Sequence, residues 1–131
     1  MNVVDASVLA NVVGDDGTDG DRARAALAGQ DVSVPDLVDV EVVSVLRRRW
    51  LAKTMTARRF AAAIEDLTML PADRYPGLPF MPRAYELRAN VSAYDATYVA
   101  LAEHLDCSLL TADARLASAP GPRCAITLLR N

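Results

Sequence analysis

One histidine and two cysteines are all that this 131-residue chain offers for histidine- or cysteine-built metal centres and disulfide scaffolds. His104 alone cannot make a histidine-rich centre, and its position suits the end of a helix. Cys107 and Cys124 lack metal-ligand spacing and are too few to frame a small fold, so they read as buried small hydrophobes in a reducing compartment, the cytoplasm. No apolar run approaches the roughly 20 residues that span a bilayer. The apolar start of the chain is broken by Asp5, with no basic stretch before it and no small-residue cleavage pattern after it, so no export signal is visible. Repeats and low-complexity tracts are also missing, and the length suits one soluble domain with a core of its own, residues 1–131.

What is present is apolar and arginine-rich. A hydrophobic share of 52% is high for so small a soluble chain, so some apolar side chains should meet a partner. The formal charge of -3 lacks the basic excess usual for phosphate binding. Local sign matters more than the sum, however: arginines come in groups, Arg47, Arg48 and Arg49, then Arg58 and Arg59, and arginine makes planar, bidentate phosphate contacts.

Asn2 to Val4 is a short apolar run ending at Asp5, and Ala6 to Val13 reads as helix, so the chain opens strand, acid, helix. Gly14 to Gly20 reads as a loop, with Thr18 or Asp19 capping a helix from Asp21 to Ala28 that Gly29 stops. Val32 to Val34 suits a strand. Pro35 opens a helical segment from Asp36 to about Ala52, and a second helix follows Thr56, the two forming an antiparallel pair. Four prolines and a glycine between Leu70 and Pro82 predict a surface loop. Arg83 to Arg88 reads as helix, and Ser92 caps a helix through Leu105 that buries Tyr98, Leu101, Ala102 and Leu105. Ser108 to Thr111 is a strand, Asp113 begins a turn or short helix, and Ala125 to Leu129 is a last strand. Strands alternating with helices predict an α/β fold, a mainly parallel central sheet with helices on both faces. Ligands of such sheets bind beyond the carboxyl ends of the strands, where Asp5 and Asp113 fall and where Asp95 opens a helix.

Taken singly, Asp5, Asp95 and Asp113 are each explained as helix caps, and Glu41 as half of an exposed salt bridge. Only the set points to chemistry. The stretches VVDASVL from Val3, LVDVEVVSVLRR from Leu37, LPFMPRAYELR from Leu78 and SAYDATYVALAEHLDCSLLTADARL from Ser92 resemble the PIN-domain ribonucleases, specifically the VapC toxins of bacterial toxin-antitoxin pairs. The resemblance covers almost the whole chain in the family's order, and its last stretch is the most specific. It implies a PIN-like fold and a ribonuclease whose four acids are Asp5, Glu41, Asp95 and Asp113, with Ser7 and Thr111 as small hydroxyls orienting carboxylates or water. It further implies a homodimer, an antitoxin partner of VapB type in a heterotetramer or larger assembly, and an antitoxin arginine reaching toward the acids. Val42, Leu46, Trp50, Leu51 and Phe60 exceed what one inward helix face needs, and the surplus would serve those contacts.

Several carboxylates within a few Å of one another raise each other's pKa unless a cation intervenes, and hard oxygen donors select Mg²⁺ or Mn²⁺. Such a site suits hydrolysis of RNA phosphodiesters, with Asp5 and Asp95 as direct ligands and Glu41 and Asp113 completing the shell directly or through water. Tyr75, Tyr85 and Tyr94 are available to stack bases, although packing explains each as well. Two other readings use the same acids. A haloacid-dehalogenase-like phosphatase also places an Asp after its first strand, but it wants a second Asp where Ser7 stands and a late lysine, and none follows Lys53. A catalytically inactive PIN-like interaction module would use the four acids only as caps.

Overall fold

The computed structural model describes residues 1–129. Three short strands form the middle of the sheet: β1 (Asn2–Val4), β2 (Val32–Pro35) and β4 (Ser108–Thr111). Nearly every residue in them is buried, as expected of strands covered on both faces. β3 (Asp73–Tyr75) and β5 (Ile126–Leu128) are the edges. The order is β3-β2-β1-β4-β5 and every pairing is parallel, with Val3 beside Ser33 on one side and Leu109 on the other. The chain therefore winds outward from β1 through β2 and β3, then crosses back and winds the other way through β4 and β5. The winding reverses between β1 and β4, and the crevice beyond their carboxyl ends is where open α/β sheets bind ligands.

Among the described residues seven helices cover this sheet: α1 (Ala6–Gly14), α2 (Thr18–Leu27), α3 (Val38–Leu51), α4 (Ala57–Met69), α5 (Met81–Glu86), α6 (Ala93–Leu105) and α7 (Ala114–Ser118). α1 gathers α2, α3 and α4 around it, while α6 lies along β1, β2 and β4 and carries α5. The core sits between, with Val3, Leu9, Leu46, Leu101 and Leu109 wholly buried. Val42 and Leu46 belong to it, Phe60 is half-buried, and Trp50 and Leu51 stay exposed at the end of α3. No described helix is long and apolar enough to cross a membrane.

Several boundaries differ from the sequence reading. The proline-rich stretch from Leu70 to Pro82 is not all loop. Asp73–Tyr75 pairs with Ser33–Pro35, and a 3-10 turn follows at Leu78–Phe80. A polar strand at a sheet edge carries no alternating apolar signature, and Arg74 anchors it by a bidentate pair with Asp39, 2.7 and 2.9 Å. α2 begins at Thr18, three residues early, because Asp15 Oδ1 accepts the backbone N–H groups of Gly17 and Gly20, both at 2.9 Å, and so caps the helix from outside it. α3 begins at Val38 instead of Asp36, since Pro35 belongs to β2 and the Asp36 N–H extends the ladder to the Tyr75 carbonyl. α5 starts at Met81, two residues before Arg83, with Pro82 in its first turn where a missing N–H costs nothing. Leu105, expected to be buried, is half-buried.

The turn into α2 is tight. A Cβ on Gly20 would meet the Asp15 carbonyl oxygen at 1.9 Å, a backbone atom that cannot swing aside. Gly20→Ala should therefore cost about 1–3 kcal/mol of stability, read as a lower urea midpoint at unchanged slope. An unchanged midpoint would show that this turn yields freely.

Candidate active site

Asp5 is the residue that follows β1 and the N-cap of α1. It is only 5% exposed, among the few buried polar residues of the chain. Its Oδ1 accepts the Ser7 hydroxyl at 2.6 Å and the Val8 N–H at 3.2 Å, and its Oδ2 accepts the Thr111 hydroxyl. The two hydroxyls are themselves fixed, since Ser7 Oγ accepts the Ala112 N–H and Thr111 Oγ1 the Asp113 N–H, each at 3.0 Å. Ser7 and Thr111 thus clamp Asp5 across the gap between β1 and β4. Burial pushes the Asp5 carboxyl above its ordinary range, and the donors pull back only part of that rise.

The other three acids lie around it. Glu41, in the first turn of α3, accepts the Tyr98 phenol at Oε1, 2.9 Å. Asp95 opens α6 below its cap Ser92, whose hydroxyl accepts the Asp95 N–H at 3.2 Å. Asp113 caps α7, its Oδ1 accepting the Arg115 N–H at 2.9 Å. Partial burial raises the pKa of Glu41, and the charges of Asp95 and Asp5 raise it further. Asp95 is likewise raised by burial first and then by Asp5 and Asp113. Four carboxylates far apart in sequence therefore share one electrostatic neighbourhood at the switch point.

They do not close into a cage. Among the described residues, no three acidic, histidine or cysteine side chains come together as a preformed metal cluster. What fits a hard divalent cation is the donor chemistry: carboxylate oxygens, three of them with proton affinities raised by burial and two of those, on Glu41 and Asp95, raised further by neighbouring carboxylates. Such repulsion is what a cation would relieve.

Two residues at the site escaped the sequence reading. Tyr98 reads there as core alone, yet its phenol is the partner of Glu41, which no helical wheel could place because the two residues are 57 positions apart. The spacing of Tyr98 one turn after Asp95 was the available signal. Arg115 was passed over as a turn residue. Its guanidinium lies 3.7 Å from Asp113 and lowers the pKa of Asp95, so it stands on the rim. Of the grouped arginines, Arg49 and Arg59 are occupied elsewhere: Arg49 donates to Asn11 Oδ1 at 2.7 Å, and Arg59 to Asp16 and to the Val13 carbonyl. Arg47, Arg48 and Arg58 are exposed.

Comparison with known proteins agrees with this architecture. The sequence pattern that defines the PIN domain matches residues 3–122. Ribonuclease VapC9 of Mycobacterium tuberculosis is 42% identical over 129 residues, covering 98% of each chain. Among solved structures, Mycobacterium tuberculosis VapC20, described as a sarcin-ricin loop cleaving toxin, superposes with a TM-score of 0.70 at 18% identity over 90% of this chain and 94% of that one. VapBC2 from Rickettsia felis, solved bound to a DNA fragment from its promoter, superposes at 0.67 with 10% identity over 98% of each chain. At such identities these two structures speak for the fold, whereas the sequence matches speak for descent. The chain belongs to the PIN domain family and, within it, to the VapC ribonucleases.

Proposed function

We propose that this protein is a Mg²⁺- or Mn²⁺-dependent endoribonuclease, the toxin of a toxin-antitoxin pair, with Asp5, Glu41, Asp95 and Asp113 as its hydrolytic centre. The observation that carries the reading is a buried carboxylate, Asp5, clamped by two hydroxyls at the carboxyl ends of β1 and β4, where Asp95 and Asp113 open α6 and α7. Asp5 and Asp95 would hold the cation, with Glu41 and Asp113 completing its shell directly or through water. When bound, the ion would lower the pKa of a water and offset charge gathering on the phosphate. Ser7 and Thr111 keep Asp5 in one orientation, and the Tyr98 phenol does the same for Glu41 through Oε1. Oε2 of Glu41 would then be left to take the proton of the attacking water.

The experiment is a melting curve with and without metal, paired with a cleavage assay on total RNA. An ion that binds only the folded chain stabilises it by about 2.7 kcal/mol at a concentration of 100 Kd. For a domain of this size that should raise Tm by roughly 5–15 °C. Asp95→Asn should abolish both the rise and the cleavage. A flat melting response to Mg²⁺ and Mn²⁺ would remove the metal from the reading.

The partners follow from the same reading. An antitoxin of VapB type would cover apolar surface such as Trp50 at 43% exposure and Leu51 at 52%, and a homodimer would account for more of it. Co-expression with the neighbouring reading frame should yield a complex that survives purification and suppresses cleavage.

A further inference from the structure

The acids are flanked by two exposed side chains that neither the clamp nor the core uses. On the α7 side, Arg115 is 94% exposed, and its ion pair with Asp113 is long at 3.7 Å. Arg115, Asp113 and Asp95 line one open cleft of about 290 Å³ with Asn90, Ser92 and Leu116. A pair so exposed and so long contributes little to stability, so the guanidinium is available to another anion. In the first turn of α6, next to Asp95, stands Tyr94, 64% exposed. It lies one helical turn before Tyr98 on α6, on the same face, and Tyr98 is the residue that reaches Glu41. Side chains on a helix lean toward its N-terminus, so Tyr94 extends the Tyr98 row outward past the carboxyl edge of the sheet.

We infer that Tyr94 and Arg115 are the substrate-positioning residues of the site, gripping a single-stranded RNA segment laid across the carboxylates, a base stacked on Tyr94 and a phosphate held by Arg115. The inference rests on the ribonuclease reading and deepens it. A strand entering a crevice of four acids needs a cation at the rim to offset the repulsion of its phosphates, and among the residues lining the cleft Arg115 alone is basic. An aromatic face left largely open to solvent is suited to stacking, which is tolerant of sequence because every base has a π-face.

Filter binding of end-labelled random-sequence single-stranded RNA, without divalent metal and across a salt series, tests it alongside steady-state cleavage of the same pool. Arg115→Ala should bind about tenfold more weakly. Its log-log salt slope should flatten by about 0.7, one phosphate contact on a single strand. Arg115→Lys should keep the slope and recover part of the affinity. Tyr94→Ala should lose about tenfold in affinity with its slope unchanged, and Tyr94→Phe should bind as the parent does, since stacking needs the ring and not the hydroxyl. Both alanine variants should raise KM with kcat nearly unmoved. Lys53→Gln, which removes one charge from the exposed turn after α3, controls for net charge and should leave the slope alone. Parent-like affinity and slope in Arg115→Ala, or a Tyr94→Phe as weak as Tyr94→Ala, would overturn the inference while the ribonuclease reading stood. A parent chain that neither bound nor cut RNA would bring down both.

Discussion

Asp5→Asn should fold as well as the parent and cut RNA about a thousandfold more slowly, or not measurably. Asparagine keeps the shape of the side chain and is as good an N-cap as aspartate, so the Val8 N–H retains its acceptor. Ser7 and Thr111 can each turn a hydroxyl to suit an amide, because hydroxyls accept as well as donate. What the variant loses is charge, and in the metal-free chain that charge is a burden. Burial raises the Asp5 pKa above its unfolded value, so ionised Asp5 weakens the folded state. The stability linked to this group is complete below the unfolded pKa, near 3.8, and is lost as pH rises through the folded value. Measured without metal, the parent should therefore lose stability relative to Asp5→Asn as pH climbs from the carboxylate range toward neutrality. Asp16 and Glu103, whose pKa values are lowered by their arginine partners, run the other way. Taking the difference between the two proteins removes them. A well-folded Asp5→Asn chain that still cleaved RNA at the parental rate would end the assignment of this carboxylate to catalysis.

The parts of this molecule that could be read from sequence are those whose signal is local. The strand, acid, helix opening at Asn2 to Val13, the helix after Thr56, the Ser92 cap and the Ser108–Thr111 strand each depend on neighbours a few positions away, and each lies where the pattern put it. β3 did not betray itself, because a three-residue polar edge strand is stabilised by what it pairs with, Ser33 to Pro35, and by Asp39, all more than thirty positions distant. The early start of α2 depends on a side chain that lies before the helix. The site shows the same division. The caps Asp5 and Asp113 and the first-turn Asp95 were visible one at a time, but the field that Asp5 and Asp113 set up at Asp95 exists only once β1 and β4 are neighbours. Glu41 was ambiguous on its helix for the same reason: its defining contact comes from another helix.

That contact makes Tyr98 the residue through which core and site depend on each other, and truncating it should be the most damaging single change to the fold discussed here. Tyr98 is 1% exposed and the largest fully buried side chain among the described residues. Tyr98→Ala should cost about 3–5 kcal/mol through lost burial and the cavity left in the core. That is a large share of the roughly 5–15 kcal/mol that holds a domain together, so the variant should be partly unfolded at 37 °C and show a much lower urea midpoint. Tyr98→Phe separates the two duties. It keeps the ring and its packing but removes the donor to Glu41 Oε1, which leaves a half-buried carboxylate short of one hydrogen bond at a cost of about 1 kcal/mol. If the phenol serves the site, Tyr98→Phe and Glu41→Gln should be coupled, the double variant falling short of the sum of the single effects on cleavage by 0.5 kcal/mol or more, as contacting groups do. Strictly additive effects would mean that the phenol merely fills the core, and that Glu41 is held in place by something other than Tyr98.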